Sequence, residues 1–200
     1  MTRGSDLPAR RIKQMKRALR REILARRDAL SEGERTTKSA AIAERVLALP
    51  ELEAARTLML FWSFGSELDT APMITRLVGQ GRRLALPRIE EGEAVPVAYR
   101  PGDPVSETRF GAMEPTSGDV VDPMELDAVV TPGVAFDRGC HRSGYGGGFY
   151  DRLFDRARPG VPKIAVAFAV QLVEAVPVGP HDRRVDIVVT EDEVVRCDEA

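Results

Sequence analysis

Five short stretches of this sequence, 58–62, 83–86, 127–130, 164–169 and 187–189, are dominated by apolar residues and do not alternate strictly between apolar and polar. A strand with one face in water alternates, whereas a strand that is apolar throughout needs both faces covered. Helices on the two sides of a parallel sheet supply that cover. The sequence therefore predicts an α/β fold, a three-layer sandwich in which a mostly parallel sheet is flanked by helices.

Spacing locates the helices. Ile12, Met15, Leu19, Ile23 and Leu24 recur at helical intervals over 10–30. Ser31 followed by Glu34 is a capping-box pattern, and the helix it opens carries Ala40, Ile42, Val46 and Leu49 until Pro50 stops it. These two make an N-terminal helical pair. Asp69 caps a helix to Val78 that Gly79 and Gly81 end, and a further helix over 149–158 stops at Pro159-Gly160. The segment 89–125, rich in Gly, Pro, Glu and Asp, reads as irregular chain with one or two short strands, such as 95–99. No repeat or low-complexity linker divides residues 1–200, so one domain is expected, with a flexible tail at 1–9.

The net charge of −2 gives no global attraction to nucleic acid, yet basic residues crowd the start of the chain, from Arg10, Arg11 and Lys13 to Arg26 and Arg27. They form either a solvated helix face or a source of cations for a polyanion such as a triphosphate. Cys140 and Cys197 belong to no CxxC pair, which argues against zinc and for a reducing compartment. No apolar run is long enough to span a membrane, and no apolar segment follows the basic N-terminus as in a secretory signal. An Arg-rich start can also mimic an organelle transit peptide; a cytoplasmic protein is the expectation.

The most informative segment runs from Arg142 through Ser143, Gly144, Tyr145, Gly146, Gly147, Gly148, Phe149, Tyr150 and Asp151 to Arg152. It follows a buried strand and opens a helix. Glycines let backbone N–H groups converge on a phosphate, and the helix start adds unpaired N–H groups and a positive dipole end. The segment is neither a Walker A loop, because Tyr145 stands where lysine is needed, nor a dinucleotide fingerprint, because Phe149 stands where glycine is needed. Any cation on the phosphates must come from Arg142 or the first helix. A plain flexible turn is the alternative. Asp151 either caps helix N–H groups or holds Mg²⁺, with Asp186 as a second carboxylate or simply a salt-bridge partner of Arg183 or Arg184. His141 and His181 lack a catalytic pattern.

Pro132-Gly133-Val134-Ala135-Phe136-Asp137, then Gly139, then Arg142 through Arg152, resembles the signature PG-x-x-FD-x-x-G-x-RLG-x-G-x-GYYD of the 5-formyltetrahydrofolate cyclo-ligases. Further family landmarks follow in order: Lys16-Arg17-Ala18-Leu19-Arg20, the stretch from Ser63 to Thr70, Leu86-Pro87-Arg88, Gly111-Ala112-Met113-Glu114-Pro115, Val176-Pro177-Val178 and Val185-Asp186. The likeness spans residues 13–192. Ser143 departs from the signature's leucine, and Phe149 from the first tyrosine of YYD.

The resemblance implies an ATP- and Mg²⁺-dependent ligase that closes 5-formyltetrahydrofolate into 5,10-methenyltetrahydrofolate; from charge and hydropathy no nucleic acid and no membrane are expected, and a monomer is the further expectation. It implies that Lys16, Arg20, Arg142 and residues Gly144 through Tyr150 hold ATP, and that Trp62, Glu67, Tyr145 and Phe149 line the folate site. Glu67 and Arg142 would be catalytic, and Asp151 and Asp186 would bind Mg²⁺. On spacing alone Trp62 reads as core and Glu67 as a solvated carboxylate. The rivals are a nucleic-acid-binding module and a non-catalytic or altered-substrate relative.

Overall fold

The computed structural model describes residues 6–108 and 111–197. Residues 1–5 of the expected tail lie outside these, and from Asp6 the chain is already helical. The helices are α1 (Asp6–Asp28), α2 (Glu32–Leu47), α3 (Pro50–Ala54), α4 (Ala71–Gly79) and α5 (Phe149–Arg156). The strands in the first half are β1 (Thr57–Met59), β2 (Arg83–Glu90), β3 (Glu93–Tyr99), β4 (Val105–Glu107) and β5 (Met113–Pro115). Those in the second half are β6 (Ala128–Thr131), β7 (Ala135–Asp137), β8 (Arg142–Ser143), β9 (Lys163–Val166), β10 (Leu172–Val173), β11 (Ile187–Val189) and β12 (Val194–Arg196).

The main sheet has seven strands in the order β12-β11-β9-β6-β1-β2-β3. Its interior, from β2 to β11, is parallel, and the two edge strands are antiparallel. Successive residues face opposite layers. Leu58, Leu84, Val130, Ile164 and Val189 turn toward α2, α3 and α4, with Ile42, Val46, Leu52, Met73 and Leu77 above them. Met59, Ala85, Val129, Ala165 and Val188 turn toward α5, with Leu153, Phe154 and Phe136. Burial on both faces explains why the strands lack alternation, and the predicted three-layer sandwich is present.

The expected pair of N-terminal helices is present, and each member packs on a different surface. Ser31 and Glu34 form the capping box of α2, which lies on the main sheet. In contrast, α1 lays Leu19, Ile23 and Leu24 on Val134, Ala135 and Val176, beside the small sheet β10-β7-β8. Pro50 ends nothing: α2 stops at Leu47, and Pro50 opens α3, because a missing N–H is harmless in a first turn.

The strand expected over 83–86, with Pro87 as its stop, likewise runs on as β2 through Pro87 to Glu90, since past Ala85 it pairs only with β3 and needs no second row of donors. The 89–125 segment holds more strand than expected, including the hairpin β4–β5.

Free thiols were expected, and Cys140 and Cys197 instead form a disulfide with Cα atoms 6.1 Å apart. Val185 N–H donates to Cys140 O and Cys197 N–H to Asp186 O, so neighbouring backbone groups bring together residues that lie 57 apart in sequence. Counted from Asp137 and Arg142, the signature's glycine falls on Cys140 rather than Gly139. Cys140 has φ of 58°, a left-handed conformation that favours glycine.

The strand order fixes where a ligand can sit. From β1 the chain moves outward to β2, then crosses back to β6 and continues the other way to β9 and β11. The loops leaving the carboxyl ends of β1 and β6 therefore diverge, and open sheets of this kind bind ligands in the crevice between such loops.

Candidate active site

At that crevice Phe61 and Glu67 come from the loop after β1, and Pro132 and Gly133 from the loop after β6. Arg27 of α1, Leu68, Val166 at the end of β9 and Gln171 beyond it also line the crevice. Gln171 is buried and donates to Gly133 O at 2.9 Å and Val134 O at 3.1 Å, while its own oxygen accepts Phe168 N–H at 3.0 Å. It ties two of the crevice loops together. Sequence reasoning passed over it, as an isolated glutamine carries no pattern.

The glycine-rich loop reaches the same edge through the β7–β8 hairpin, which carries the chain down the sheet and back. Gly146 has φ of 106° and Gly148, the N-cap of α5, has φ of 68°, conformations that favour glycine. Among the described residues, no hydrogen bond uses the N–H groups of residues 144–148. A run of unpaired N–H groups ahead of a helix start makes an anion-binding concavity.

Of the expected cations, Arg20 reaches over Gly146, and no carboxylate among the described residues pairs with it. Lys16 is ion-paired with Asp182. Arg142 is buried behind the loop, with Nη1 donating to Pro132 O at 3.3 Å and Nη2 to Asp151 Oδ2 at 3.1 Å. Its guanidinium lies 5.6 Å from the Tyr150 ring centre and 5.8 Å from that of Phe154.

Among the described residues, three buried side-chain polar atoms lack a partner, and all belong to this neighbourhood: Arg142 Nε, Ser143 Oγ and Tyr150 Oη. Buried polar groups are paired as a rule, and Arg142 and Tyr150 stand directly behind the glycine-rich loop, whereas Ser143 lies on β8. Burial also pushes the Tyr150 hydroxyl pKa far up, which keeps it protonated. Phe149 stacks under Arg152, whose guanidinium sits 5.7 Å from its ring centre.

Tyr145 connects the loop to the crevice. Its hydroxyl donates to Glu67 Oε1 at 2.7 Å and accepts from Arg27 Nη1 at 3.0 Å, and its ring packs on Phe64 with centres 5.3 Å apart. Burial raises the Glu67 pKa above the usual glutamate value, opposed by the Tyr145 hydroxyl, the Phe64 N–H and the Arg27 charge. Trp62 is half-buried, edge-on to Tyr99 at 5.6 Å and packed against the main core. Sequence reasoning counted Arg27 among the basic residues without singling it out. The signal was available: Lys16, Arg20, Ile23 and Arg27 follow helical spacing and share one face of α1.

Asp151 and Asp186 are engaged separately. Asp151 accepts from Arg142 and from Arg183 N–H at 3.1 Å. Asp186 accepts from Lys163 N–H at 2.7 Å, where β9 begins, and its neighbour Val185 bonds to the far turn of the β7–β8 hairpin. No group of three or more His, Cys, Asp or Glu among the described residues could hold a metal.

A model described as the 5-formyltetrahydrofolate cyclo-ligase family matches residues 12–191. The chain is 34% identical over 178 residues to the 5-formyltetrahydrofolate cyclo-ligase of Escherichia coli strain K12, an overlap covering 86% of this chain and 98% of that protein. To the mouse enzyme of the same name it is 29% identical over 196 residues, covering 90% and 96%. The solved structure of Aquifex aeolicus 5,10-methenyltetrahydrofolate synthetase superposes with a TM-score of 0.82 at 33% identity, covering 93% of this chain and 94% of that one. The chain belongs to the 5-formyltetrahydrofolate cyclo-ligase family, and with it to the ligases of folate metabolism.

Proposed function

We propose that the protein is an ATP-dependent enzyme that cyclises 5-formyltetrahydrofolate to 5,10-methenyltetrahydrofolate, releasing ADP and phosphate. The observation that carries the nucleotide half is the run of unpaired N–H groups at 144–148 with Arg20 above it. A formamide is a weak electrophile, because its nitrogen donates into the carbonyl. In the proposed sequence the formyl oxygen attacks the γ-phosphorus and ADP leaves. The N10 amine then attacks the formyl carbon, the carbon–oxygen bond breaks with loss of phosphate, and N10 gives up its proton. No covalent enzyme intermediate is needed, so the protein's part is positioning and charge neutralisation.

The loop amides and Arg20 hold the triphosphate. Lys16 joins them if nucleotide draws it from Asp182. Gly144 through Gly148 leave room for the phosphates, Phe149 and Tyr145 stand between the two substrates, and Arg142 and Tyr150 support the loop from behind. Glu67 and Trp62 line the folate side, and Glu67 is the acceptor for the N10 proton or a pterin N–H.

Of the two carboxylates expected to hold Mg²⁺, Asp151 fits: it stands one turn behind the glycines, and magnesium commonly takes one protein carboxylate with phosphate oxygens and water. Asp186, committed to Lys163 at the opposite end of β9, does not fit the same ion. Bound there, the metal would offset phosphate charge.

No helix among the described residues is long and apolar enough to cross a membrane. The proposal includes a monomeric cytoplasmic enzyme without nucleic acid, a setting in which Cys140 and Cys197 would be reduced. The test is the appearance of the methenyl chromophore from 5-formyltetrahydrofolate, matched by phosphate release. Both should require ATP and the folate together. ATP-independent chromophore formation, or ATP binding without turnover, would refute the reading.

A further inference from the structure

Two hydroxyls converge on one buried guanidinium. Arg27 is 4% exposed, with Nε donating to Ser66 Oγ at 2.9 Å and Nη1 to Tyr145 Oη at 3.0 Å. Each hydroxyl passes its hydrogen to a carboxylate, Ser66 to Asp28 and Tyr145 to Glu67. A guanidinium has donors and no acceptor, so it can meet only a lone pair of each hydroxyl. That fixes the direction of both hydrogens.

The second oxygen of Glu67 accepts Phe64 N–H at 3.1 Å. Both Glu67 oxygens are thus held as acceptors, an arrangement that favours the carboxylate over the neutral carboxyl. Tyr145 occupies the free position of the signature's G-x-G, so the hydroxyl belongs to this chain and not to the signature.

The geometry points to Arg27 as a positioning residue for the cyclisation: through the Tyr145 hydroxyl and its own charge it keeps Glu67 an acceptor-only carboxylate at the crevice. The inference rests on the reading that Glu67 faces the folate. A carboxylate held this way selects a ligand N–H and rejects a carbonyl or a second anion.

The charged and titratable groups around Glu67 are Arg27 and, through Ser66, Asp28 from α1, and Tyr145 from the glycine loop. Tyr150 of α5 feels the Glu67 charge, and exposed Asp69 follows on the same segment. Burial already pushes Glu67 toward its neutral form, with Arg27 among the groups opposing it. Burial and the Glu67 charge raise the Tyr145 pKa, so Tyr145 keeps its proton and remains the donor.

The test is the pH dependence of kcat/KM for 5-formyltetrahydrofolate, at saturating ATP, in Arg27→Met, Arg27→Lys, Tyr145→Phe and Glu67→Gln. In Arg27→Met the acid limb should move up by about one pH unit or more, so that about tenfold of lost activity returns as pH rises. Arg27→Lys restores the charge and should bring the limb back, while Tyr145→Phe should move it upward by less. A folded Arg27→Met whose loss is the same at every pH overturns the inference. If Arg27→Met does not fold, an unmoved limb in Tyr145→Phe overturns it equally. Glu67→Gln separates the two levels: wild-type turnover there removes the underlying reading of Glu67. An inactive Glu67→Gln beside an unmoved limb in the other variants overturns the role of Arg27 alone.

Discussion

Arg20 lies over Gly146: a Cβ built on that glycine would stand 3.5 Å from three atoms of the guanidinium. The contact brings a cation of α1 to a row of unpaired loop amides. Replacing Arg20 with Ala removes a donor that no carboxylate occupies. The fold should hardly notice, whereas the KM for ATP should rise about tenfold or more, the value of a charge-assisted hydrogen bond. Gly146→Ala should be worse for both, because φ of 106° strains any side chain. That strain costs about 1–2 kcal/mol, which thermal melts will read directly. An Arg20→Ala enzyme with an unaltered ATP KM would detach α1 from the nucleotide.

Asp151 does two jobs that substitution can separate. It neutralises Arg142, whose side chain is 4% exposed, and in the proposal it also holds Mg²⁺. Asp151→Ala leaves a buried guanidinium without its counter-ion, and we expect a loss of about 3 kcal/mol of stability together with turnover. Asp151→Asn keeps an acceptor for Arg142 and should retain more stability, while Mg-ATP-dependent turnover still falls severely. Undiminished turnover in Asp151→Asn at low magnesium would take Asp151 out of the metal site.

Why some of this was legible in the sequence and some not follows from the range of the interactions. The sheet was readable because burial on both faces leaves its mark strand by strand, as in 164–169 and 187–189. The loop was readable because glycine has few reasons to recur four times in five positions. Local rules failed where a neighbour distant in sequence decides. Pro87 stays in a strand because β1 has already ended alongside it, and Cys140 finds Cys197 because both run beside Val185 and Asp186. Arg27 has no local pattern beyond the α1 face it shares with Arg20. Its role depends on Ser66 and Tyr145, which lie 39 and 118 residues away.

The disulfide closes a loop between residues 57 apart, spanning β8, α5, β9, β10, β11 and β12. Closing a loop of that size restricts the unfolded chain by about 2–4 kcal/mol. Oxidised protein should therefore melt several degrees above the same protein in reductant, and Cys197→Ser should melt like the reduced form in both. Identical melting with and without reductant, in protein shown by thiol titration to be oxidised, would mean the bond contributes nothing to stability.

Tyr150 and Ser143 carry the last contrast. Both hydroxyls are buried without a partner, and each lowers stability as long as that holds. Tyr150→Phe and Ser143→Ala should therefore fold at least as stably as the parent, by about 0–1 kcal/mol in their favour. Their effects on activity should differ. Ser143 pairs with Ala135, which packs on Ile23 of α1, so its hydroxyl faces an apolar contact and turnover should be unchanged. Tyr150 sits in the first turn of α5 behind the glycines, beside Arg142, where a hydroxyl can reach the loop or its ligand. In Tyr150→Phe the KM for ATP should rise several-fold while the melting temperature holds. A fall in melting temperature would show instead that the hydroxyl already has a partner within the folded chain.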